Sequence, residues 1–76
     1  MSEAGRLPED EALLAGLTPA QRSTLDAERV LRVGDALVWI EPEGRVRREK
    51  LARLYYVRTA RGMYRWSKID DALVEV

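Results

Sequence analysis

The pattern of apolar and polar positions changes character at Gly34. Before it, Leu13, Leu14, Leu17, Leu25 and Leu31 stand among charged and small residues; after it, short β-rich runs alternate with turn residues. Met1 to Arg6 are small, polar or charged without periodicity, so a frayed tail over residues 1–6 is expected, ahead of a single small domain over 7–76. Pro8 followed by Glu9, Asp10 and Glu11 marks the first turn of a helix, because proline needs no donor there and carboxylates favour the positive dipole end. Ala12 to Ala15 continue this helix and Gly16 stops it. Thr18-Pro19-Ala20-Gln21 spells a capping box with proline at the first helical position, which predicts a second helix over 19–29. Val30 to Val33 can extend that helix or open a sheet, so the helical part is set at residues 7–31 and the β-rich part at 34–76.

Asp35 to Glu41 is β-rich, and Pro42-Glu43-Gly44 supplies a three-residue hairpin loop closed by a left-handed glycine. Counting back from that loop pairs Glu41 with Arg45, Ile40 with Val46 and Trp39 with Arg47. Opposite charges, and an arginine over an indole, then face each other. Leu54 to Thr59, Ala60-Arg61-Gly62 and Met63 to Ser67 repeat the grammar, with Arg58 beside Tyr64 and Tyr56 beside Trp66. One face would carry Leu54, Tyr56, Arg58, Tyr64 and Trp66, the other Tyr55, Val57, Thr59, Met63 and Arg65. Lys50 to Arg53 joins the hairpins as a loop or a helical turn, and Ala72 to Val76 alternate as a closing strand. The expected class is α+β: two short N-terminal helices followed by a four- to five-stranded antiparallel sheet. A meander this short leaves exposed edges unless it closes, so the expected architecture is a small SH3-like barrel.

Composition narrows the chemistry. The chain has 76 residues, no Cys, no His and no Phe, and its apolar share rests on Leu, Ala and Val. Disulfides, thiol nucleophiles, imidazole ligands and imidazole acid–base groups are thereby absent. Ser23, Ser67 and the threonines have no histidine to activate them, and Lys50 and Lys68 do not fall in a Ser-x-x-Lys spacing. Gly34, Gly44 and Gly62 are isolated turn glycines, not a phosphate loop. Glu9-Asp10-Glu11 and Asp70-Asp71 fit helix-dipole and turn roles, not the alternating ligands of a cation loop. A non-enzymatic protein is expected, with no catalytic residues, no cofactor and no metal. No 18-residue apolar run and no signal pattern occur, so no membrane association is expected and a cytoplasmic location is.

The formal charge of zero conceals a partition. Residues 1–43 hold nine acids and four bases, residues 44–68 nine bases and one acid, and residues 69–76 three acids. The basic block comprises Arg45, Arg47, Arg48, Lys50, Arg53, Arg58, Arg61, Arg65 and Lys68, interleaved with Tyr55, Tyr56, Tyr64 and Trp66. Arginine forks suit phosphates and flat rings suit bases, so a twisted sheet carrying both suits DNA or RNA. The candidate interface is these nine bases with Tyr55 and Tyr64. A bland alternative competes with it: the aromatics form the core and the bases pair with the acidic N-terminal segment. The rival functional class is a protein-binding adaptor or inhibitor, for example a phage-type regulator of a host protein. It would act by occlusion on an acidic protein surface. A charge dipole of this kind also allows a homodimer.

Two partial resemblances are visible. Glu49-Lys50-Leu51-Ala52-Arg53-Leu54 through Tyr64-Arg65-Trp66 resembles a helix-turn-helix ending in Tyr-Arg-Trp on its recognition helix. Tyr56 stands where that turn has glycine, and Val57 to Trp66 is one residue too long, with Gly62 inside. Arg58, Gly62, Tyr64-Arg65 and Ile69-Asp70-Asp71 loosely resemble the C-terminal half of RelE/ParE-type toxins, which implies a ribonuclease or gyrase inhibitor with long upstream helices. Gly34 and the Pro42–Gly44 loop interrupt the stretch where those helices would lie, so no catalytic residue carries over.

Overall fold

The computed structural model describes residues 6–76, and all of the expected tail but Arg6 lies outside the described residues. Pro8–Ala15 forms α1 and Pro19–Glu28 forms α2. At the start of α1 the Leu7 N–H donates to Asp10 Oδ2 at 2.8 Å. At the start of α2 the Gln21 N–H donates to Thr18 Oγ1 at 3.1 Å and the Thr18 N–H to Gln21 Oε1 at 2.9 Å. Such caps satisfy amides that the helix itself cannot, each for about 1 kcal/mol. Arg29 ends α2 with a left-handed φ of 68°, and its carbonyl accepts the Ile40 N–H at 3.0 Å. The chain therefore passes directly from helix into sheet.

Six strands make two three-stranded antiparallel meanders. The first sheet holds β1 (Val30–Val33), β2 (Ala36–Ile40) and β3 (Val46–Lys50) in that order. A 3₁₀ turn, Leu51–Arg53, leads to the second, with β4 (Tyr56–Thr59), β5 (Gly62–Ser67) and β6 (Ala72–Glu75). The stretch that could have prolonged α2 is thus a strand. Its two-residue link to β2 has Gly34 at φ +60°, the left-handed first position of a turn whose twist suits a hairpin.

All five residues of β2 are buried, so this strand is the middle of three layers. Val38 and Ile40, with Val46 of β3, pack under Leu14 of α1 and Leu25 of α2. Leu37 and Trp39 point the other way, against Leu54 and Val57 and the partly buried Tyr64, Trp66 and Leu73. A helical layer covers one face of the first sheet and the second sheet covers the other.

Three expectations are corrected by this arrangement. The β-rich part has six strands, not four or five, and does not close into an SH3-like barrel. The 3₁₀ turn redirects the chain across the β2 face, so the edges are managed by stacking two sheets. The first hairpin keeps the expected pairs, Ile40 with Val46 and Trp39 with Arg47. Its arginine, however, is not engaged with the indole: Arg47 Nε donates to Glu41 Oε1 at 2.9 Å. The cation–π contact among the described residues is instead Arg32 over Trp66, at 5.7 Å. The second hairpin slips by one residue. Ala60-Arg61 alone forms its loop, Gly62 belongs to β5, and the pairs are Tyr56 with Arg65, Val57 with Tyr64 and Arg58 with Met63. Thr59 Oγ1 accepts the Arg61 N–H at 3.1 Å and tightens the turn, while Gly62 takes a φ of +139°. Because side chains alternate, the slip puts Tyr64 and Trp66 on the buried face with Val57. Tyr56, Arg58, Met63 and Arg65 lie on the outer face. Residues 56–67 are two strands joined by the Ala60-Arg61 turn, which leaves no place for a recognition helix.

Candidate nucleic-acid interface

The nine central bases meet different fates. Arg45 Nε donates to Asp10 Oδ2 at 2.7 Å and its guanidinium lies 3.6 Å from Glu9. Asp10 is only 1% exposed, yet it accepts from Arg45 and from the Leu7 amide. Burial pushes its carboxyl up, but hydrogen bonds from the backbone at Leu7 and Val46 and from Arg45, with the Arg45 charge, outweigh that. The group titrates below the usual carboxylate range. Arg47 is held by Glu41, whose hydrogen bond and charge raise the guanidinium's already high pKa. Arg58 reaches Glu43 at 3.2 Å, and Arg61 donates to the Ala27 carbonyl at 2.7 Å. These four cations serve partly as internal clamps. Arg48, Lys50, Arg53, Arg65 and Lys68 have no side-chain partner among the described residues.

The aromatics divide in the same way. Trp39 is buried and Tyr64 and Trp66 are half-buried in the core between the sheets. For the two tryptophans and Tyr64 the core role expected of large rings in a Phe-free chain therefore holds. Tyr55 and Tyr56 are 75% and 60% exposed. They sit where the 3₁₀ turn feeds β4, with Tyr56 on the outer face of the second sheet opposite Arg65.

A groove of about 360 Å³ gathers one part of each set. Trp39, Arg47, Arg48, Glu49, Arg53, Leu54, Tyr55 and Tyr56 line it, along the seam between the edge strand β3 and the chain entering β4. Pairing parity explains why β3 contributes cations on both faces: Arg47 shares the Trp39 side, and Arg48, opposite Val38, leans from the helix side. The Trp39 indole Nε1 is the buried side-chain polar atom that finds no acceptor among the described residues, and it is covered within the fold, not open to the groove. A ligand with a flat face and negative charge would engage the two unpartnered arginines and the two tyrosines together.

Of the residues singled out from sequence, the groove brings together Arg47, Arg48, Arg53 and Tyr55. Arg65 adjoins it through Tyr56. Arg45, Arg58 and Arg61 are engaged elsewhere, Tyr64 faces the core, and Lys68 lies in the turn between β5 and β6. Sequence reasoning missed Tyr56, which the hairpin register would have exposed had Gly62 been placed in the strand. Among the described residues no helix is long and apolar enough to cross a membrane. Comparison with protein-family models, curated proteins and solved structures finds no match to this chain.

Proposed function

We propose that this protein is a small non-enzymatic regulator that binds nucleic acid at the groove between β3 and β4. The observation that carries the reading is the placement of Arg48 and Arg53, both without side-chain partners among the described residues, beside the exposed rings of Tyr55 and Tyr56. Guanidinium forks bind phosphate oxygens in pairs and tyrosine faces stack on bases, so one short surface supplies both halves of nucleotide recognition. Arg65, cross-strand from Tyr56, extends the positive surface along the outer face of the second sheet. The expected setting is cytoplasmic. Fluorescence anisotropy with a labelled oligonucleotide tests the reading: binding should fall with salt, and a flat salt response would sink it. Neutralising about three phosphates predicts a log–log slope near −2 on a single strand. Arg48→Ala with Arg53→Ala should weaken binding about tenfold at low salt.

A second reading is occlusion of an acidic protein surface. It draws on Ile69, 97% exposed in the turn beside Lys68, and on Met63, 43% exposed beside Arg65 on the outer sheet. Loss of binding in Met63→Ser and Ile69→Ser, with oligonucleotide binding absent, is the pattern that would favour it.

A further inference from the structure

We infer that the groove takes a single strand and not a duplex, with one nucleotide seated between the Arg48–Arg53 cations and the Tyr55–Tyr56 rings. This rests on the nucleic-acid reading above and specifies its ligand. In a duplex each base has both faces covered by its neighbours, so exposed rings gain nothing from it beyond backbone contact. In a single strand the bases can splay out, and a ring face becomes a binding surface.

Shape points the same way. Duplexes are read by a protruding helix or ribbon that enters a groove of the nucleic acid. Here the cations and rings converge on a concavity of about 360 Å³, near the lower end of the roughly 300–1,000 Å³ typical of small-ligand sites. That volume is on the scale of one small ligand such as a nucleotide.

Charge supplies the third argument: Arg48 and Arg53 line the same groove, and neither has a side-chain partner among the described residues, so both are available to phosphate oxygens. Glu49 also lines the groove, but its Oε1 accepts the Lys50 N–H at 2.9 Å, so its carboxylate is held toward the strand backbone.

The test uses the full chain and three labelled probes of one sequence: a twelve-nucleotide RNA strand, the DNA strand, and the blunt DNA duplex. Both strands should bind at least tenfold more tightly than the duplex at equal salt. A preference between RNA and DNA strands supports the inference in either direction, because rings and phosphates are common to both. Tyr55→Ala and Tyr56→Ala should each lower strand affinity about 5- to 100-fold while changing duplex affinity less than about twofold. The tyrosines are exposed, so their variants read binding without disturbing the core. Equal affinity for strand and duplex, or tyrosine variants that leave strand binding unchanged, would overturn the inference while the broader reading stands. No binding to any probe would overturn both.

Discussion

The two faces of β2 are covered in different ways. Toward the helices the strand packs in an aliphatic cluster with Leu14, Leu25 and Val46, and nearby Asp10 is buried with two donors on its carboxylate. Toward the second sheet it meets Leu54 and Val57 but also the half-buried Tyr64 and Trp66, and its own Trp39 keeps an unused N–H. The centre of the sheet-on-helix packing is aliphatic, while the sheet-on-sheet side carries aromatic rings and leads to the groove at the β3–β4 seam. A chain of 76 residues has little core to spare, and the proposed recognition surface lies beside the second of these faces.

Several substitutions probe that contrast. Leu25→Ala removes the fully buried centre of the helix-facing core and should lower unfolding free energy by about 2–5 kcal/mol in a urea titration. A loss below about 1 kcal/mol would mean that this face is not where stability resides. Asp10→Ala removes the cap on α1 and strands Arg45, for about 2 kcal/mol. The same carboxylate gives this face a pH signature. Its folded pKa lies below the unfolded value of roughly 3.9, so its contribution is present above that value and disappears as pH falls through the folded pKa. Acid titration of Asp10→Asn should therefore show a shallower loss of stability below pH 4 than the parent. On the other face, Gly62→Ala meets a φ of +139° and should cost about 1 kcal/mol by straining the register of the second hairpin. The smallest effect is expected at the groove rim. Tyr55→Ala should move stability by less than about 0.5 kcal/mol while weakening oligonucleotide binding, and a large thermal shift would place that ring in the core.

Much of the fold is legible locally, because its signals span three or four residues. The Thr18–Gln21 capping box, Pro8 at a helix start and the Pro42–Gly44 hairpin need only neighbouring atoms, and each takes its expected form. Strand β1 is less legible: Val30 to Val33 suit helix or strand, and its long contact with α2 and β2 decides. The second hairpin misleads for a one-residue reason. Ala60-Arg61-Gly62 reads like the first loop, but Thr59 closes a tighter turn and exchanges which rings share a face. The barrel fails because closure depends on how far the chain travels between strands, which the 3₁₀ turn at Leu51–Arg53 sets.

By itself the sequence determined the α+β order, the helix caps, the first hairpin's register and the charge blocks, and it removed histidine and cysteine chemistry from consideration. Those properties follow from residue identity and short-range geometry. Only the tertiary structure decided which cations remain available. Arg45 finds Asp10 across 35 positions and Arg61 finds the Ala27 carbonyl across 34, so their engagement depends on contacts no local pattern encodes. The same holds for Trp39, whose five-residue strand looks like core in sequence and is core in the fold. Its N–H faces the lack of an acceptor only because the second sheet packs over it with apolar and aromatic side chains.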